Sequence, residues 1–209
     1  ADLPAQSGLG SSSTFTVSML HSLYAYQHEM PTKFQLAKSA VYVEQECINE
    51  NIGSQDQTAA AFGGLNKIEF GGVREINVTP LIIPPERLEN LQDHLLLFFT
   101  GFSRNAPDIA KEQLRLILKH NKELQSMAEL CDQAEKIIIS KSTPIQDFGE
   151  LLNEQWKLKC KMSPLITNSE IDYIFNKGLE SGALGGKLLG AGGGGFILLF
   201  AKPENHLQI

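Results

Sequence analysis

The 209-residue chain reads as an α+β protein of two modest domains. Three observations carry that reading. A glycine and serine turn, Gly8 to Ser13, runs straight into an apolar-periodic helix near the N-terminus. A stretch with three prolines, Pro80 to Pro85, interrupts the chain and serves as a candidate linker. Toward the C-terminus, after a series of helical patterns, the glycine run Gly190 to Gly195 joins two apolar segments that read as a hairpin of strands. The expected domains are therefore 1–84 and 85–209.

Taken in order, Phe15, Val17, Met19, Leu20, Leu23 and Tyr24 keep helical spacing behind the first turn. A second helix is expected over Ala37 to Cys47, and a third opens at Asp56, just ahead of an alanine-rich run. Short strands follow around Leu65 to Phe70 and Val73 to Val78. Beyond the prolines come a strand at His94 to Thr100 and a long helix from about Pro107 to Leu130. Further helices are expected near Asp132 to Ser140, Ile145 to Lys159 and Asn168 to Ser181. With the strands flanking the glycine hairpin, this part is expected to lay helices over one face of a sheet.

Composition removes several function classes. A hydrophobic content of 42% is enough for a substantial core. The formal net charge of -6 argues against a nucleic-acid partner. No apolar run approaches a membrane span and no signal peptide is visible, so the cytoplasmic compartment is the default expectation. Cys47, Cys131 and Cys160 lack metal-ligand spacing and read as reduced packing residues.

The first turn is the most informative segment. Glycine lets a backbone approach an anion closely, and a helix start leaves N–H groups without internal partners while the dipole adds positive potential. Phosphate suits such a place, although a serine N-cap after a glycine turn has the same appearance. No Gly-Lys-Ser/Thr follows, which excludes the Walker A pattern, and Ser13 stands where a dinucleotide fingerprint needs its third glycine. Gly190 to Gly195 formally spells G-x-G-x-x-G, but a strand rather than a helix follows it, so the Rossmann reading fails.

The run Pro4-x-x-x-Gly8-Leu9-Gly10-Ser11-Ser12 resembles the second signature of the GHMP kinases. The resemblance implies an ATP-binding loop made of Pro4, Ser7, Gly8, Leu9, Gly10, Ser11, Ser12 and Ser13. Gly53-Ser-Gln55-Asp56-Gln57 looks like the family's Gly-x-x-Asp-Gln stretch, which places Asp56 as the catalytic carboxylate and Gln55 at the substrate. An aspartate at a helix start is stabilised as the anion and is expected to be ionised at neutral pH, able to orient and deprotonate a sugar hydroxyl. Simple helix capping is the alternative role. Glu44 lies at the spacing from Asp56 at which galactokinase-like members carry a metal-binding glutamate. The implied magnesium ligands are Ser12 and Glu44, with Ser11 a near-equivalent to Ser12 and Glu46 close by. Gly185 to Gly195 resembles the third signature, which in the family borders the active site, so Gly190, Ala191, Gly192 and Gly193 join the expected site. The implied architecture is a partial ribosomal-protein-S5-like N-terminal domain and a ferredoxin-like α/β sandwich C-terminal domain. The family's first signature has no counterpart here, so the chain is expected to begin inside a longer domain.

Within the family, the runs Leu95 to Ile109 and Trp156 to Lys159 through Ile166 to Asn168 look like the D-glycero-D-manno-heptose 7-phosphate kinases. That resemblance implies ATP- and magnesium-dependent phosphorylation of the anomeric hydroxyl of a phosphorylated heptose. An L-fucose or related hexose 1-kinase is the nearest alternative, and a non-catalytic ATP- and sugar-binding sensor of the same superfamily is another. A substrate that already carries phosphate calls for a basic group; Arg104 leads, with Lys159, Lys161 and Lys187 behind it.

Overall fold

The structure is a computed structural model and describes residues 8–71, 75–102 and 106–209. Its contacts divide the chain into two compact units, Ala1–Leu81 and Ile82–Ile209. The architecture is α+β.

In the first unit Gly10 is the left-handed N-cap (φ 70°) of helix α1, Ser11–Tyr26. The expected apolar stripe splits between two faces. Ser13, Thr16 and Val17 are buried, with Leu20 and Tyr24 packed beside them, whereas Phe15, Met19 and Leu23 are exposed. Helix α2, Lys33–Tyr42, starts earlier than its apolar pattern suggested because Thr32 and Gln35 form a reciprocal capping box. It runs into a single π-helical turn, Val43–Cys47, before α3, Gln55–Phe62. Val17, Leu36 and Ala40 form the core between these helices, with Ala60 and Ala61 of α3 against it. Strands β1, Asn66–Phe70, and β2, Ile76–Pro80, pair antiparallel, Asn66 opposite Pro80 and Phe70 opposite Ile76.

The second unit opens with α4, Pro85–Asp93, which the proline stretch concealed: Pro85 stands in the first helical turn, where a missing N–H costs nothing. Strand β3, Leu95–Phe99, follows. The long helix expected to Leu130 is broken. It appears as α5, Ala106–Leu116, a 3-10 turn Ile117–Lys119, and α6, Asn121–Ile139, which absorbs the helix expected at Asp132 to Ser140. The break lies at His120, whose backbone (φ -115°, ψ 31°) leaves the helical region within the polar run Lys119 to Lys122. Helices α7, Gln146–Met162, and α8, Ser169–Glu180, and strands β4, Ala183–Leu188, and β5, Phe196–Ala201, complete the unit. The antiparallel sheet has the order β3-β5-β4. Its core centres on Trp156, Ile166, Ile171, Phe175, Leu188, Ile197 and Leu199.

Helix α7 lies unusually close to β4. A Cβ added to Gly185 would stand 1.9 Å from the carbonyl oxygen of Gly149, so the two glycines let backbone touch backbone. Gly185→Ala is therefore expected to lower stability by about 1–3 kcal/mol through overpacking, read as a lower urea midpoint, whereas an unchanged midpoint would show that the helix can lift away. Cys47 and Cys131 are exposed rather than packed, and Cys160 is half-buried. Among the described residues no helix is long and apolar enough to cross a membrane.

Candidate functional site

In the first unit two helix starts meet. A Cβ on Gly10 would lie 3.3 Å from both the carboxyl carbon and Oδ2 of Asp56, so the missing side chain at Gly10 is what lets the opening of α1 reach the Asp56 carboxylate. Gly10 offers no side-chain cap and the first turn of α1 holds no acidic residue, which leaves its dipole available to an anion. Gly8 (φ 80°) and Gly10 both adopt left-handed backbone, as a tight turn into the helix requires. Gly8, Leu9, Gly10 and Ser11 are half-buried and Ser12 is exposed. Pro4 and Ser7 lie outside the described residues.

Asp56 sits in the first turn of α3, with Ser54 rather than Asp56 as the N-cap, which removes the capping role weighed for it. Its carboxyl behaves differently from the expectation for a helix start. Asp56 is exposed at the surface, yet the protein atoms crowded about its carboxyl desolvate it, and this, with secondly the negative charge of Glu44, pushes its pKa above the ordinary carboxylate value. Gln55, at the start of the same helix, is exposed.

Glu44 is the hub of the unit. It is 1% exposed and lies on the π-helical turn. Ser13 donates its hydroxyl to Oε2 at 2.8 Å, Thr16 donates to Oε1 at 2.7 Å, and the Gln57 amide donates to Oε2. One carboxylate thus ties α1, the π turn and α3 together. Ser13 rather than Ser12 meets Glu44 because helical rotation turns Ser13, Thr16 and Val17 inward together. Thr16 and Gln57 escaped the sequence reading as site residues. Their signal was a polar residue on an otherwise apolar inner face, one turn after Ser13 in one case and directly after Asp56 in the other.

The oxygen chemistry here suits magnesium. Glu44, the serine hydroxyls and the buried Gln57 Oε1, which has no hydrogen-bond partner, are all hard donors. Among the described residues no group of three or more His, Cys, Asp or Glu gathers as a protein-only cage.

In the second unit the glycine hairpin is held by its own backbone. Gly193 N–H donates to Ile166 O at 2.8 Å, Gly195 N–H to Phe102 O at 3.0 Å, and Thr100 N–H to Gly195 O at 2.8 Å. A Cβ on Gly192 would come within 2.8 Å of Ile166 Cα, so that glycine answers to close packing. Gly192 and Gly193 are buried, Ala191 is half-buried with its carbonyl accepting from Gln113 at 2.7 Å, and Gly190 is exposed. Lys159 donates to Gly190 O at 2.6 Å, and Lys187 donates to Gln155 Oε1 at 3.1 Å. Burial, then the positive charge of Lys187, push Lys159 down to about 8, slightly opposed by Cys160. Burial lowers Lys187 too. Arg104 lies outside the described residues, and Lys161 is exposed.

Both parts of the chain resemble known proteins. The family description "GHMP kinases N terminal domain" matches residues 1–64, and "GHMP kinases C terminal" matches residues 107–209. The chain belongs to the GHMP kinase family. Among curated GHMP relatives, the D-glycero-alpha-D-manno-heptose 7-phosphate kinase of Campylobacter jejuni is 33% identical over 212 residues, covering all of this chain and 62% of that protein. The bifunctional fucokinase/GDP-fucose pyrophosphorylase of Arabidopsis thaliana is 27% identical, covering all of this chain and 20% of that protein. Among solved structures, a D-glycero-D-manno-heptose 1-phosphate kinase from Bacteroides thetaiotaomicron superposes with a TM-score of 0.74 at 24% identity, over 99% of this chain and 57% of that one. The chain therefore spans less than two thirds of the length of these GHMP relatives.

Proposed function

We propose that the enzyme carrying this chain transfers the γ-phosphoryl group of ATP to the anomeric hydroxyl of D-glycero-D-manno-heptose 7-phosphate, giving the 1,7-bisphosphate. Such a product would feed nucleotide-activated heptose into cell-surface glycan synthesis. The reading is supported most by the contact between Gly10 and Asp56, which sets an anion-seeking helix start against a carboxylate. The likeness to the Campylobacter jejuni enzyme supports the choice of sugar.

In this mechanism the opening of α1, Gly8 to Ser13, receives the triphosphate on backbone N–H groups. Asp56 accepts the proton of the anomeric hydroxyl while that oxygen forms its bond to the γ-phosphorus. The bond between that phosphorus and the bridging oxygen breaks, and ADP leaves with the electron pair. A carboxyl whose pKa is raised is a better proton acceptor than an ordinary aspartate once ionised. Glu44, with Ser12 or Ser13, would hold magnesium, which when bound neutralises charge on the phosphate oxygens. Ser13, Thr16 and Gln57 hold Glu44 in place. Positioning and charge compensation then supply most of the rate.

The test is an ADP-release screen under saturating ATP across phosphorylated and free sugars. The heptose 7-phosphate is expected to give the highest kcat/KM. Preference for free L-fucose or another unphosphorylated hexose would replace the substrate, and absence of ADP release with every sugar would favour a binding protein.

A further inference from the structure

The stretch that holds Asp56 is gripped at both ends by side chains of the π turn. Glu44 accepts from the amide of Gln57, the residue after Asp56. Gln45, the next residue of the turn, donates its Nε2 to the Ile52 carbonyl at 2.9 Å and to the Ser54 hydroxyl at 3.3 Å, both upstream of Asp56. A π turn inserts an extra residue into a helix and occurs often at functional sites. Here Ile48 N–H closes the turn on Val43 O at 2.9 Å, and the consecutive residues Glu44 and Gln45 within it reach one segment. Helix α3 has little of its own to fix this opening. It is 8 residues long, and its N-cap Ser54 offers no side-chain cap, its hydroxyl being engaged by Gln45 instead. The same lattice continues into α1, because Glu44 also accepts from Ser13 and Thr16 while the Asp56 carboxyl lies against Gly10. Gln45 is half-buried, so water competes only partly for its two bonds.

We propose that Gln45 is a positioning residue for the phosphoryl transfer: through Ile52 and Ser54 it fixes the opening of α3 against the π turn, and so holds the Asp56 carboxyl where the acceptor hydroxyl must meet it. The second half rests on the role of general base proposed above for Asp56. Gln45 is given no contact with either reactant. It acts on the geometry of attack, where a small misplacement of a reacting group costs turnover. A purely structural grip on the segment between the π turn and α3 is the rival role.

The experiment is a double-mutant cycle in which Gln45→Met, which removes the donor at nearly constant side-chain length, is made in the parent enzyme and in Asp56→Asn. In the parent, kcat with the sugar that gives most ADP is expected to fall by about 10-fold to 100-fold, the scale of a small misplacement, while the KM for ATP stays within about 2-fold. In Asp56→Asn the same change is expected to alter the residual turnover by no more than about 2-fold, because the group to be positioned is gone. Equal falls in both backgrounds would overturn the proposal in favour of a structural grip. Unchanged kcat, or a loss confined to the KM for ATP, would overturn it likewise. Should Gln45→Met fail to fold, Ser54→Ala carries the same cycle: it removes only the longer of the two contacts and no side-chain cap. A smaller fall is then expected in the parent and none in Asp56→Asn, and equal falls, or none in either, would overturn the proposal. A second arm needs no sugar: in Gln45→Met, hydrogen exchange is expected to speed up in the first turn of α3, including the Thr58 N–H that donates to Ser54 O, with α1 unchanged. Parent-like protection there would remove the anchor. If the parent enzyme releases no ADP with any sugar, the reading of the function falls while exchange still decides whether Gln45 sets the opening of α3.

Discussion

Replacing Asp56 with asparagine is expected to reduce turnover by about 100-fold to 10,000-fold, the usual contribution of a positioned general base, while the affinity for ATP stays within several-fold. The reason for the split is local. The backbone of the α1 opening, proposed to receive the nucleotide, is untouched by the substitution, and the amide is nearly isosteric where the carboxyl lies beside Gly10. A second signature follows from electrostatics. Desolvation of the carboxyl, then Glu44, raise the Asp56 pKa, so the folded state holds this proton more tightly than the unfolded chain. Stability from this group is present below the unfolded value, near 3.8, and declines as pH rises through the higher folded value. Above that window the ionised carboxyl opposes folding, and the amide does not. Asp56→Asn should accordingly melt no lower than the parent at neutral pH while being nearly inactive. Parent-like turnover would remove Asp56 from its role, and a clearly lower melting temperature would show that its charge holds the unit together.

Glu44→Ala is the second large effect. The substitution removes the acceptor of the Ser13 hydroxyl, the Thr16 hydroxyl and the Gln57 amide at a position only 1% exposed. Each buried donor left without a partner costs about 1–3 kcal/mol, so a loss of roughly 3 kcal/mol or more is expected. The first unit should lose protection in hydrogen exchange across α1 and α3 before the second unit does. Glu44→Gln should recover part of the stability, since its side-chain oxygen still accepts, while leaving turnover low because the charge is gone. Equal turnover in Glu44→Gln and the parent would confine Glu44 to a structural role.

Much of this arrangement was legible before any coordinates. The glycine turn announced α1 because backbone freedom and helix periodicity are local properties, and Gln55-Asp56-Gln57 announced the start of α3 for the same reason. The glycine hairpin declared itself through two apolar runs around a run of glycines. What stayed hidden depended on distant contacts. Pro84 and Pro85 read as a linker although Pro85 begins α4, because proline signals both a break and a first turn. The helix broken at His120 kept its apolar pattern on both sides of the break. The π turn that carries Glu44 has no composition of its own. Ser13 displaced Ser12 beside Glu44 through a rotation of one residue, which spacing along the chain does not resolve. The close seat of α7 on β4 comes through Gly149 and Gly185, a contact spanning dozens of residues.

The single carboxylate joining α1, the π turn and α3 has an implication for how a ligand is met. Because Glu44 locks these segments as the chain folds, the mutual orientation of the α1 opening and the proposed proton acceptor Asp56 is set before any ligand arrives. The rotational freedom that two loose segments would surrender on encountering their guests has already been given up during folding.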